Sequence, residues 1–236
     1  MYLKLLNFIK AISQNLQEVS LSNFDSKASV NIPKTFFVLA FEIAKGLELF
    51  CIAIEKQAYS QAASLLRQLL EQVAIIRVLE QYPNCREAYK NFCSLRLGIY
   101  QNDEAKKKEL TNLYKQINDK NLKRGEQAYL EFGWLLTISN NYGVEELFKL
   151  SNIEDLISWR TFLNKFVHSN VFAIQLMNLD ASIENFIYIA AVICDIIMCS
   201  YHNITGFNFN ESNNFSREKF TALFNEITTI RGKTIK

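Results

Sequence analysis

Apolar residues recur at three- and four-residue spacing along almost the whole chain, the period of an amphipathic helix. Leu5, Phe8, Ile9, Ile12, Leu16 and Val19 predict a first helix over 2–20. Residues 21–32, rich in Ser, Asn and Asp, read as a loop. Pro33 then fits the first position of a second helix, where its missing N–H costs nothing, and that helix should run to about Lys56. Residues 60–82, dense in Ala and Leu, form the clearest helix and stop before Pro83. Another helix is expected over 84–101. Short ones are expected over 127–139 and 144–150, parted by the turn signal Asn140-Asn141-Tyr142-Gly143. Ser151 or Asn152 can cap a helix from Ile153 to His168, with Glu154 and Asp155 in its first turn. Residues 181–204 are apolar nearly all round, which places that helix at the centre of a bundle. A last helix over 216–230 precedes a basic tail with Arg231, Lys233 and Lys236.

The pattern therefore predicts an all-α, single-domain helical bundle of about seven to nine helices. Its core lies over roughly 35–204, and residues 205–236 form a C-terminal helix and basic tail. Residues 102–126 differ in texture. They carry seven Lys/Arg and five Asp/Glu around a thin stripe of Leu110, Leu113 and Ile117, and read as an exposed charged helix and linker. Composition agrees with a helical chain. With 7 glycines and 2 prolines in 236 residues, little is left to build tight turns or a Gly-rich phosphate loop.

The net charge of +2 gives no bulk electrostatic argument for nucleic acid or a membrane surface. The N-terminus is interrupted by Lys4, Asn7 and Lys10 and does not read as a signal peptide. Two apolar stretches, Thr35 to Ile54 and Phe186 to Cys199, invite a membrane reading. The first carries Glu42, Lys45 and Glu48, and the second is shorter than the ~20 residues a span needs. Both read as helices buried in protein, and no membrane span is expected. Cys51, Cys85, Cys93, Cys194 and Cys199 are odd in number and lack a C-x-x-C. They read as free thiols in a reducing cytoplasm, not as disulfides or zinc ligands.

Candidate chemistry is sparse, and no cofactor is expected. There is no dinucleotide fingerprint, nucleophile elbow, H-E-x-x-H or calcium loop. His168 and His202 are the only histidines, so proton transfer near neutral pH falls to them or to a strongly shifted group. Arg160, Asn164 and His168 are spaced four apart and form one polar stripe on a helix, flanked by Leu156, Leu163 and Val167. A cation, an amide and an imidazole in that line can grip a phosphate and move protons. The plainer alternative is a helix-end His bonded to a neighbouring helix. In the 60–82 helix, Arg67 and Glu71 are four apart. Either they form a boundary salt bridge, or they are shared with another helix and hold a site together. Arg77, Glu80 and Asp195 fall on apolar faces and call for partners. His202 suits a helix C-terminus.

The alanine-rich segment Ala62-Ala63-Ser64-Leu65-Leu66-Arg67-Gln68-Leu69-Leu70-Glu71, followed later by Asn164-Lys165-Phe166-Val167-His168, resembles a broad family of uncharacterised bacterial helical proteins. Its members carry an Arg-x-x-x-Glu helix and, further on, a polar residue shortly before a His. The resemblance covers roughly residues 35–200. That family is in turn similar to the HEPN group, helical and often dimeric domains, many of which cleave RNA without a metal. The group's motif has four to six residues between Arg and His, whereas seven separate Arg160 from His168. The resemblance implies that His168 is the acid/base and that Arg160 or Arg67 steadies phosphorane charge.

Two expectations follow. The chain is a non-enzymatic module that binds a protein partner or itself, with Arg67, Glu71, Asn164 and His168 as a buried polar network. Alternatively it is a HEPN-like effector that binds or cleaves RNA in a defence or toxin system.

Overall fold

A computed structural model describes residues 2–25, 34–96, 131–167, 179–209, 218–223 and 225–226, with Ala105, Lys108, Glu109 and Asn112. The helices are α1 (Tyr2–Asp25), α2 (Lys34–Glu55), α3 (Tyr59–Gln81), α4 (Arg86–Arg96), α5 (Val144–Ser151), α6 (Leu156–Val167) and α7 (Leu179–Thr205). Two 3-10 turns, Pro83–Cys85 and Gly133–Thr137, lie between them. No strand occurs among the described residues, so the protein is an all-α bundle. The predicted helix starting at Pro33 begins at Lys34; Pro33 itself, the basic tail, His168 and most of 102–126 lie outside the described residues. Ala105, Lys108, Glu109 and Asn112 are helical and exposed.

The chain falls into two compact units, 1–76 with 155–236, and 77–154. The division lies inside α3, between Ile76 and Arg77.

In the first unit α1 packs along α2, and α7 touches both. The inward stripe of α1 is Leu5, Ile9, Ile12 and Leu16, all essentially without exposure, as its spacing requires. Polar groups stitch its edge to α2. Ser13 Oγ donates to the Ala44 carbonyl at 2.8 Å, Gln17 donates to Glu48 at 3.2 Å, and Lys10 meets Glu55 at 2.8 Å. Gly46 allows α2 and α3 to approach closely, since a Cβ there would stand 2.8 Å from Leu69 Cδ2.

Helix α7 carries a long apolar stretch. Its stretch Ser182–Thr205 is long and apolar enough to cross a membrane, and 56% of its most apolar window is buried inside the protein. Tyr201 anchors its end, with ring contacts to Phe36, Phe37, Phe207 and Phe209. Asn23 Nδ2 donates to its hydroxyl at 3.1 Å. Gly206 closes the helix at φ +75°, its N–H on the His202 carbonyl at 2.7 Å. His202 is exposed, and its Nδ1 lies 2.9 Å from the Phe207 carbonyl oxygen, in line with the helix-end role expected of it. Residues 218–223 are helical, and Phe220 of that stretch packs its ring on Phe8.

Two boundaries differ from expectation. Helix α1 continues to Asp25 because Ser22 and Asn23 turn their side chains back onto the Val19 carbonyl instead of starting a loop. Helix α6 starts at Leu156, not Ile153. Asn152 takes the left-handed conformation (φ 52°) and ends α5, with its N–H on Lys149 O, and Asp155 (φ 65°) interrupts the chain again.

In the second unit, Arg77 and Glu80 pair with each other at 2.7 Å, which answers the charge each would otherwise leave on an apolar face. Arg86 Nε donates to Leu79 O at 2.7 Å, and Gln81 Nε2 to Ser151 O at 3.3 Å. Buried Trp134 stacks edge-on against Tyr89 with ring centroids 5.1 Å apart. The nearly buried Glu146 accepts a 2.5 Å hydrogen bond from Ser139, in the range of a charge-assisted O–H···O contact.

Candidate functional site

Helix α6 carries the predicted polar stripe and is held from two sides. Ser60 Oγ at the start of α3 donates to Phe166 O at 3.4 Å. Towards α7, Phe166 meets Phe186 edge-on at 4.8 Å, and Trp159 meets Tyr188 at 6.4 Å. Leu156, Leu163 and Phe166 are buried, so Arg160 and Asn164 sit at the margin of the packed face and are half-buried. Val167, expected among the flanking apolar residues, is half-buried as well.

Glu71 on α3 faces this stripe. Its Oε1 lies 3.4 Å from Arg160 Nε, and the two side chains are 31% and 28% exposed. Arg160 Nε is buried and makes no hydrogen bond, so the approach is Coulombic and the N–H is not aimed at the carboxylate. Asn164 Oδ1, one turn on, is also buried without a hydrogen bond. Glu71 thus reaches another helix, as the second of the two arrangements left open by the sequence asked of both Glu71 and Arg67. Arg67 is half-buried, and no ion pair joins it to Glu71 among the described residues. The structure brings together Glu71 and Arg160, with Asn164 a turn from Arg160.

A carboxylate 3.4 Å from a guanidinium cancels most of the charge that a phosphate would need from it. An incoming anion would meet Glu71 as well as Arg160. The pair is therefore better arranged to tie α3 to α6 than to hold phosphate. Among the described residues, no group of three or more His, Cys, Asp or Glu could hold a metal ion.

No family model, curated protein or solved structure matches the chain.

None of the five cysteines is in a disulfide. Burial pushes Cys51 up to about 12, Cys85 up to about 11, and Cys194 well above the usual thiol range. These three are poor nucleophiles. Asp195, beside Cys194, is half-buried and not fully enclosed.

The sequence reading missed the outward face of α2, which it took as buried in protein. Val38, Leu49 and Ile52 are 48%, 51% and 41% exposed. Their spacing of 11 and 14 residues puts them in one line along the helix, with exposed Glu42 and Lys45 between them. All five fall within an arc of roughly 80°. At one end the line meets a cavity of ≈140 Å³ walled by Ser20, Leu21 and Phe24 of α1 and Phe37, Val38 and Phe41 of α2. Leu21 on its rim is 55% exposed. The signal in the sequence was an apolar count on α2 larger than one buried face can absorb.

Proposed function

We propose that the protein is a non-enzymatic helical interaction module that docks another protein surface through the outer face of α2. Glu71, Arg160 and Asn164 belong to its frame. The observation that carries this reading is the line of exposed aliphatic side chains, Val38, Leu49 and Ile52, running into the apolar cavity beside Leu21. Exposed aliphatic side chains aligned on one helix face beside an apolar cavity mark an interaction surface, whereas single scattered ones do not. The test is a photo-crosslinking residue at position 52 of the full-length protein, with a second at exposed Glu218 as control. Discrete protein adducts should form at 52 and not at 218. No adduct at 52, or equal adducts at both, overturns the reading.

A second reading is favoured by one observation: Arg160 Nε and Asn164 Oδ1 are buried and make no hydrogen bond, so this part of the frame is not fully satisfied. In that reading the chain is a HEPN-like RNA-binding or RNA-cleaving effector that uses His168 as acid/base and Arg160 or Arg67 as cation. Purified protein should then cleave total RNA, and His168→Ala should abolish cleavage. Equal cleavage by wild type and variant, or none, excludes it.

A further inference from the structure

We infer that the occupant of the α2 face is a second copy of this chain, packed antiparallel across a two-fold axis that passes α2 between Ile43 and Ala44. The inference rests on reading α2 as a docking face and deepens it.

The outward stripe of α2 is symmetric about that point. A two-fold contact is self-complementary, so each residue must suit the one at the mirrored position about the axis. Val38 and Leu49 lie at equal distances from the point between Ile43 and Ala44, and so do Glu42 and Lys45. One axis therefore sets apolar against apolar and acid against base at the same time. Glu42 of each copy meets Lys45 of the other, giving two cross-pairs per dimer. Glu42 is exposed and has no ion-pair partner among the described residues, while Lys45 is 46% exposed and contacts Glu48 at 3.1 Å. A parallel pairing in register would instead oppose Glu42 to Glu42 and Lys45 to Lys45, which is repulsive.

The cavity fits the same axis. It lies at the level of Phe37, Val38 and Phe41. The axis delivers Leu49 of the second copy to that level, with Ile52 following towards Thr35. Ile52 leans to the same side of the stripe as Phe41, and a two-fold axis across the helices preserves that side. Each copy thus offers a recess at the start of α2 and a protruding aliphatic pair near its end, about 16 Å apart along the helix. A contact centred on one helix face falls at the small end of stable interfaces, about 1,200 Å² or less, so the dimer is sought over a concentration series reaching about 100 μM.

The test uses Glu42→Lys, Lys45→Glu and their mixture, read by native mass spectrometry and sedimentation velocity on the full chain, with circular dichroism to confirm folding. Wild type should dimerise. Each variant alone sets like charges at both cross-pairs, and its dimer dissociation constant should rise at least about tenfold. An equimolar mixture should form the heterodimer, because one copy then carries Lys at 42 and 45 and the other Glu at both. Self-pairing is overturned if wild type stays monomeric to about 100 μM. In that case adducts at position 52 to a different protein would leave the docking reading standing, and their absence would remove both. The antiparallel axis is overturned if Glu42→Lys dimerises as wild type does. It is also overturned if Glu42→Lys pairs with wild type better than with Lys45→Glu.

Discussion

Replacing Gly46 with Ala should destabilise the protein, although the same change in an isolated helix would stabilise it. An alanine Cβ would lie 2.8 Å from Leu69 Cδ2, 3.4 Å from its Cγ and 3.6 Å from its Cδ1. Leu69 is 1% exposed, so its side chain has no open space into which to retreat. Overpacking of this kind costs about 1–3 kcal/mol, and the helix propensity gained from Gly to Ala returns about 1 kcal/mol. The net expectation is a loss of about 1 kcal/mol. The three atoms nearest the new methyl all belong to the Leu69 side chain, so Leu69→Ala removes the clash. Leu69→Ala alone should cost about 2–5 kcal/mol. Adding Gly46→Ala in that background should restore about 1 kcal/mol or more, because propensity is gained and part of the cavity is refilled. The assay is urea unfolding of the four proteins followed by helical circular dichroism. The account requires Gly46→Ala to change sign between the two backgrounds, with a coupling of about 2 kcal/mol. The same sign and size in both would refute close α2–α3 contact at this glycine.

Other outcomes follow from the buried polar and thiol groups. Asn164→Leu should leave the melting temperature unchanged or raise it, because it removes a buried oxygen that makes no hydrogen bond; a fall of several degrees would mean that the amide is held by a partner. Glu71→Gln should cost less than about 1 kcal/mol in thermal or urea unfolding, because both members of the pair are about 30% exposed; a loss of several kcal/mol would mean that the carboxylate has a larger structural role. Cys51, Cys85 and Cys194 are protonated more firmly when folded than when unfolded. The unfolded chain therefore loses these protons first, and the thiols' contribution to stability should be level below about pH 8.5 and fall above it, by up to about 1.4 kcal/mol per pH unit per thiol. Urea unfolding at pH 8 and pH 10 should show a shallower fall for Cys51→Ala than for wild type, and equal slopes would count against the buried thiol.

How much could be read from the sequence depends on whether a feature is local. Helix α7 was legible because no partner is needed to recognise a helix that is apolar nearly all round. Predicted over 181–204, it spans Leu179–Thr205. Gln81 ends α3 just before Pro83, as expected. The end of α1 was not legible. Ser22 and Asn23 look like loop residues until Asn23 reaches Tyr201, far along the chain. Asn152 carried a helix-start signal, yet the same short amide side chain suits the left-handed residue that ends α5. At the candidate site, the spacing of Arg67 and Glu71 suggested a local pair, whereas Glu71 lies against Arg160 on α6. Spacing registers only neighbours on one helix, so this pairing had no sequence signal. The α2 face was missed for the opposite reason: its excess apolar residues were assigned to the interior, although helix geometry leaves three of them outside.

The most direct measurement of the central claim is sedimentation velocity of wild type and of Leu49→Asp/Ile52→Asp across a concentration series. Both substituted residues point outward, so the variant should keep the wild-type circular dichroism spectrum. The account predicts a concentration-dependent monomer–dimer equilibrium for wild type and a monomer throughout for the variant. A variant that dimerises as wild type does would contradict it.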